Sequence, residues 1–232
     1  MRHRTPPPPK VVTLDLDDTL WPIEEVVAHA ERRLHDWFAV RFPRVAARYQ
    51  PTDLRRLRNE MEALHPELAG DMGALRHRSL EVALESVGDD ADAAPEAFGV
   101  FWAARHELAL FDDVIPALHA LHERGVLGAI TNGNADLTLL GLAHHFDFVL
   151  AAASFGHAKP APEIFHAACI RTGAEPHEVL HAGDDPELDV CGALDAGLRA
   201  AWVNRHGAAW PRPDRRPPLV VRDLGELARA LR

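Results

Sequence analysis

Asp15, Asp17 and Asp18 stand within four residues at the end of an apolar run, VVTLDLDDTLW (11–21). Like charges this close repel, and burial at a strand end raises the cost, so the grouping asks for a positive partner or for protons to be moved. Three further apolar runs end in polar groups or lead to them by a loop. These are Thr131-Asn132-Gly133 in ITNGN, Lys159-Pro160 in HAKPAP, and Gly183-Asp184-Asp185, with Asp189 one turn on, in HAGDDPELDV. Together they bring carboxylates, a hydroxyl, backbone N–H donors and one ammonium.

These groups share one edge of a fold only if the runs before them are parallel strands. VVTLDL reads as a strand apolar on both faces, after a short extended lead-in at Pro6–Pro9. From residue 111 helices and short apolar strands alternate. Helices are predicted over 114–124, 135–142, 162–172 and 188–196. Strands are predicted over 126–130, 148–152, 178–183 and 199–204, with a short strand at 219–221 before a closing helix. Gly125, Gly173 and Gly197 end three of those helices. Between 21 and 110 the texture is helical throughout: Val27, Ala30, Leu34, Trp37 and Phe38 recur at helical spacing, and helices follow at 52–64, 73–86 and 95–110. Thr52 or Asp53 is the expected cap of the helix at 52–64.

The fold class is therefore α/β: a doubly wound parallel-sheet core made of 1–20 and 111–232, with an all-helical domain, 21–110, inserted after the first strand. In such a sheet the ligand crevice lies beyond the carboxyl ends of the strands, where all four polar stretches fall.

The 232 residues, 47% of them hydrophobic, suffice for a real core. A net charge of −10 argues against a nucleic-acid binder held by phosphate contacts, although a locally positive pocket for a small phosphorylated substrate is compatible with it. Cys169 and Cys191 have no metal-site spacing and read as buried core residues. The first ten residues lack the apolar segment of a signal peptide, and no run approaches the ~18 apolar residues of a membrane span, so a cytoplasmic protein without a membrane partner is expected. No feature sets an oligomeric state.

Taken singly, each polar stretch has a bland explanation. Thr131-Asn132-Gly133 is a common turn, Lys159 a common surface lysine, and GDDPELD an acidic helix start. A helix–loop–helix calcium loop fails, since Leu20 stands where Gly is needed and Val26 where Glu is needed. The glycine fingerprint of a dinucleotide fold is missing. The order of the four stretches is what the bland readings leave unexplained.

That order, DLDDTL, then ITNG, then Lys-Pro, then GDDPELD, resembles the haloacid dehalogenase-like hydrolase superfamily over essentially the whole chain, and the helical insert resembles that superfamily's cap domain. DLDDTLW, RHRSLE, ITNGNADL and HAGDDPELDV are similar to bacterial phosphatases of FMN and of the phosphorylated ribitylaminouracil precursor of riboflavin. The resemblance implies a phosphomonoester hydrolase that holds Mg²⁺ through Asp15, the backbone carbonyl of Asp17, and Asp184. In it Asp15 is the nucleophile and Asp17 the general acid and base. Thr131 and the Asn132 N–H hold phosphoryl oxygens, Lys159 neutralises their charge, and Asp189 backs the metal or Lys159. Asp18 and Asp185 shape loops.

Elementary electrostatics agrees. A carboxylate about 4 Å from a phosphate meets repulsion of about 4 kcal/mol per charge pair at an effective dielectric near 20, which a divalent cation among the acids removes. A haloalkanoate dehalogenase needs neither Asp17 nor Asp184, and a sugar-phosphate mutase of this type usually has Gly where Asp18 stands. From another class, a phospho-receiver or non-catalytic regulatory binding protein shares the acids, Thr and Lys but has no helical insert. The partner expected is a small phosphorylated metabolite: FMN, the riboflavin precursor, or alternatively a sugar phosphate or nucleotide. Trp21 is read either as a stacking surface for a substrate ring or as packing against the helical insert. Arg76, in the Arg76-His77-Arg78 cluster, is read either as a contact to a second anionic group or as part of a solvated helix face.

Overall fold

The computed structural model describes residues 7–68, 70–215 and 219–231; Pro6 and residues 216–218 of the 204–218 tail segment lie outside them. Six strands form one wholly parallel sheet: β1 (Val11–Leu14), β2 (Val126–Thr131), β3 (Phe148–Ala151), β4 (Val179–Gly183), β5 (Arg199–Val203) and β6 (Val220–Val221), in the order β3-β2-β1-β4-β5-β6. β1 is buried along its whole length, as a strand apolar on both faces must be, and it sits between β2 and β4. Val11 is level with both Val126 and Val179, so the three strands start together, and Leu14 lies beside Ala129 and Ala182 near their carboxyl ends. The chain reverses its winding direction between β1 and β4, the switch point at which such sheets bind ligands.

The chain divides into two compact units, one of Met1–Trp21, Leu110–Asn132 and Gly141–Arg232, the other of Pro22–Ala109 and Gly133–Leu140. The helical unit contains α1 (Ile23–Arg41), α2 (Pro43–Arg48), α3 (Pro51–Leu64), α4 (Met72–Glu85) and α5 (Ala94–Arg105), packed on Leu34, Phe38, Val45, Leu80, Leu84 and Phe101. Around the sheet lie α6 (Val114–His122), α7 (Ala152–Phe155), α8 (Pro162–Thr172), α9 (Gly192–Asp195) and α10 (Leu224–Ala230), with Val11, Ile130, Phe148, Phe165, Val179 and Trp202 in the core.

Four local expectations are corrected. The segment 135–142 is a series of turns, not a helix. The Asp136 carboxylate accepts from the N–H groups of Thr138 and Leu139, and the Asp136 N–H donates to His106 Nε2, so side chains take the bonds a helix would use. The cap of α3 is Gln50, one residue before Pro51, with Asp53 reaching back to the Gln50 N–H at 2.9 Å. The helix expected at 188–196 begins earlier, as a π-helical turn over Pro186–Cys191, because Asp185 accepts from the N–H groups of Glu187 and Leu188. And α5 ends at Arg105, short of the expected 110, where the His106 ring donates from Nδ1 to the Trp102 carbonyl at 2.7 Å.

Candidate active site

The ends of β1, β2 and β4 and the loop before α8 bring the acids, the lysine and the amide together. The Asp15 N–H still bonds to the Ala182 carbonyl at 2.9 Å, so β1 delivers its first aspartate while in the sheet. The chain then turns sharply. Asp18 takes the left-handed conformation (φ 56), which aspartate tolerates better than most residues, and its N–H returns to the Trp21 carbonyl at 2.8 Å.

Lys159 is the hub. Its Nζ lies 2.5 Å from Asp15 Oδ1 and 2.6 Å from Asp189 Oδ1, and it is almost entirely buried. The backbone holding it is clamped reciprocally: the Lys159 N–H donates to Asn132 Oδ1 (2.8 Å) and Asn132 Nδ2 donates to the Lys159 carbonyl (2.9 Å). Asn132 therefore spends its side chain on Lys159. Thr131, at the end of β2, is buried. Asp189 accepts three hydrogen bonds, with Oδ1 taking Lys159 and His181 Nε2 (3.1 Å) and Oδ2 taking the Asp185 N–H (3.0 Å). Gly183 makes room for it, since a Cβ there would fall 2.2 Å from Asp189 Oδ2.

Electrostatics follow from this crowding. Burial alone would lower the Lys159 ammonium, but Asp15 and Asp189 outweigh it and hold its pKa above the ordinary lysine value. Burial would raise Asp189, but Lys159 and His181 hold it well below the carboxylate range. Asp15 is pushed well above that range, by burial first and by Asp189 and Asp17 next, with Lys159 opposing. Burial, Asp189 and Asp18 push Asp184 up to about 7. The Asp184 carboxylate has only a long bond from Thr19 Oγ1 at 3.5 Å among the described side chains.

Asp15, Asp184 and Asp189 each place an oxygen within 4.8 Å of the others, with one lysine among three carboxylates. The donor set is all oxygen and short of positive charge, which fits a hard divalent cation rather than a metal preferring sulfur or imidazole. Asp189 already accepts three hydrogen bonds, and Asp15 and Asp184 are less committed and have more ligand capacity to give. A cavity of about 300 Å³ opens beside Asp184, lined also by Asp18, Trp202, Arg205, His206 and Pro211. A larger cavity, of about 550 Å³, lies at the opposite ends of the strands near Lys10, Leu180 and Arg199, away from every acid of the site.

Two expected substrate contacts are corrected. Trp21 is fully buried and its indole N–H donates to Asp17 Oδ1 at 2.8 Å, so it orients Asp17 and offers no face for stacking. Arg76 is buried inside the helical unit, 4.0 Å over the Phe101 ring and 3.5 Å from Glu31, where it serves that unit's core. Sequence reasoning also missed supporting residues. Arg205 bonds the Thr19 carbonyl (2.7 Å), pairs with both oxygens of Asp113 and stacks on Phe111, while Trp202 Nε1 donates to the Asp184 carbonyl at 2.7 Å. Trp210, whose partner was not evident from sequence, packs edge-on against Trp202. The remaining signal was a threonine and a histidine, Thr13 and His181, inside otherwise apolar strands.

Such a parallel sheet, with an acid pair after the first strand and a lysine bridging two carboxylates, defines a hydrolase of the kind the motifs resemble. A family model for haloacid dehalogenase-like hydrolases matches residues 9–197, and the chain belongs to that family. It is 34% identical over 196 residues (83% of this chain, 82% of the relative) to the 5-amino-6-(5-phospho-D-ribitylamino)uracil phosphatase YigB of Escherichia coli (strain K12). It is 38% identical over 172 residues (71% and 69%) to a phosphoserine phosphatase of Thermus thermophilus. A solved structure named as a 2-haloacid dehalogenase of Pseudomonas syringae pv. Tomato superposes with a TM-score of 0.88 at 39% identity, covering 96% of this chain and 97% of that one.

Proposed function

We propose that this protein is a Mg²⁺-dependent phosphatase of small phosphorylated metabolites that works through an aspartyl-phosphate on Asp15. The observation that carries the reading is the buried Asp15–Lys159–Asp189 array beside Asp184: a nucleophile braced by a cation and set next to an acid with ligand capacity to spare. Mg²⁺ held by Asp15, Asp184 and the Asp17 carbonyl would offset the charge of the incoming phosphate.

The chain's own residues do the rest. Asp15 attacks phosphorus, the ester P–O bond breaks, and Asp17 gives its proton to the leaving alkoxide. Asp17, aimed by the Trp21 indole, then takes a proton from water, which attacks the phosphorus of the aspartyl-phosphate and releases phosphate. The Thr131 hydroxyl, the Asn132 N–H and Lys159 hold the phosphoryl oxygens as charge develops. Asp189 positions Lys159.

For the substrate, the phosphorylated ribitylaminouracil is the reading supported by the similarity to YigB, and FMN the one implied by the motif resemblance. A second reading, dehalogenation of a 2-haloacid, is favoured by the name of the Pseudomonas syringae structure. Asp17 and Asp184 argue against it, since displacing halide from carbon needs no leaving-group acid and no divalent cation. The test is release of phosphate, with Mg²⁺, from FMN, the ribitylaminouracil phosphate, phosphoserine, sugar phosphates and nucleotides, alongside halide release from 2-chloropropionate. A preference for a flavin-pathway ester of more than about tenfold in kcat/KM, some 1.4 kcal/mol, supports the substrate. Halide release without phosphate release overturns the phosphatase.

A further inference from the structure

Thr13 and His181 face each other directly in the register of β1 and β4 and are 0% and 1% exposed. Their strand neighbours Val12, Leu14, Leu180 and Ala182 are apolar. A hydroxyl and an imidazole at these positions carry a desolvation cost that valine or leucine would avoid, so packing alone does not explain them. Their bonds do: Thr13 Oγ1 lies 2.9 Å from His181 Nδ1, and His181 Nε2 lies 3.1 Å from Asp189 Oδ1.

The geometry points to His181, backed by Thr13, as a positioning residue that fixes Asp189 and through it the Lys159 ammonium against Asp15. This inference rests on the phosphoryl-transfer reading. An ionised carboxylate only accepts, so the proton of the His181–Asp189 bond sits on Nε2, and in the neutral ring Nδ1 accepts from the Thr13 hydroxyl. The Phe165 ring, edge-on at 5.2 Å, holds the imidazole plane. The chain of bonds then runs from Thr13 through His181 to Asp189 Oδ1, which also receives Lys159, which in turn bonds Asp15 Oδ1. No proton need travel along it. Without His181, Asp189 Oδ1 keeps only the lysine and the carboxylate is anchored by the Asp185 N–H on Oδ2 alone, so Oδ1 can swing about that anchor and draw the ammonium away from Asp15.

The test uses the full chain with Mg²⁺ and p-nitrophenyl phosphate, together with the ¹⁵N spectrum of histidine-labelled protein. His181→Leu should lower kcat by about 10- to 100-fold, the usual cost of losing such a supporting group, with a smaller change in KM. His181→Gln, which keeps an N–H donor, should recover most of that loss. In a Lys159→Met background His181→Leu should cost nothing further. A full additional loss in that background, or a folded His181→Gln as poor as His181→Leu, overturns the proposal. Should His181→Leu fail to fold, Thr13→Val carries the same comparison, with a smaller kcat loss that disappears when Lys159 is gone; an undiminished loss there also overturns it. Independently of turnover, the wild-type spectrum should contain one ring, absent in His181→Gln, protonated at Nε2 and bare at Nδ1. The opposite tautomer overturns the inference. A protein showing the expected ring but releasing no phosphate would sink the reaction and keep the brace.

Discussion

In the helical unit Glu31 is buried on α1 and meets two guanidiniums, Arg55 at 2.7 Å and Arg76 at 3.5 Å, with Glu24 completing the group on Arg55. In the α/β unit Lys159 is buried among Asp15, Asp184 and Asp189. In the first cluster both acids meet a base, with Arg58 a further positive charge near Arg76, and burial lowers Arg76 to about 10, which leaves it charged at neutral pH. The second leaves its acids in excess, and Asp184 rises to about 7, at the edge of losing its charge. A buried cluster whose acids are met by bases holds helices together; one whose acids are in excess has room for a cation. The difference teaches that the sign and completeness of a buried ion cluster, more than its burial, separate structure from site.

Mutations that break one cluster should therefore affect a different observable from those that break the other. The largest effect is expected for Asp15→Asn, which removes the proposed nucleophile: phosphate release should fall by about 10⁴-fold or more, some 5.4 kcal/mol of barrier, in a chain that still folds. Glu31→Gln leaves Arg76 buried with no carboxylate facing it and should cost about 3–5 kcal/mol in denaturant unfolding, with kcat per folded molecule unchanged. A loss of turnover without loss of stability in Glu31→Gln would erase the contrast. Mg²⁺ should fill the deficit in the second cluster. Chelator should abolish turnover, and the metal should add about 2.7 kcal/mol of stability at a hundred times its dissociation constant. In Asp184→Asn both effects should weaken sharply; activity indifferent to chelator would contradict the role of the acids.

The smallest effect concerns Arg205 and Asp113, a matched pair in the α/β unit. Burial would raise Asp113, but the Arg205 hydrogen bonds and the Leu224 N–H outweigh it and hold its pKa below the ordinary 3.8. A depressed carboxyl contributes stability that is present above pH 3.8 and lost as pH falls through the lower folded value. Asp113→Asn should thus cost about 1–2 kcal/mol at neutral pH, and the gap from wild type should narrow below pH 3.8 and close as pH passes the lower folded value. A gap independent of pH would assign the loss to packing.

The sheet and the acids were readable because each apolar run ends abruptly in a polar residue whose position in a parallel sheet is fixed by the run itself. Asp15 and Asp184 converge for that reason, while Lys159 arrives on the loop before α8 and Asp189 on the helical turn after β4. The turns at 135–142 were hidden because Leu137, Leu139, Leu140 and Leu142 mimic a helical face, while the decisive bonds come from one aspartate and from His106, distant in sequence. Trp21 and Arg76 were misjudged because an aromatic or a guanidinium near a site looks available until its own partners, Asp17 and Glu31, are seen. His181 and Thr13 were passed over because a strand is read from its apolar majority, and only the register reveals that two polar exceptions meet.

The central claim is that phosphate passes through Asp15. Acid quenching of the Mg²⁺-loaded enzyme during turnover, followed by mass spectrometry of the peptide containing VVTLDLDDTLW, should find a phosphoryl group on Asp15 in the wild type and none in Asp15→Asn. Steady phosphate release with no phosphorylated peptide, and turnover surviving in Asp15→Asn, would contradict it.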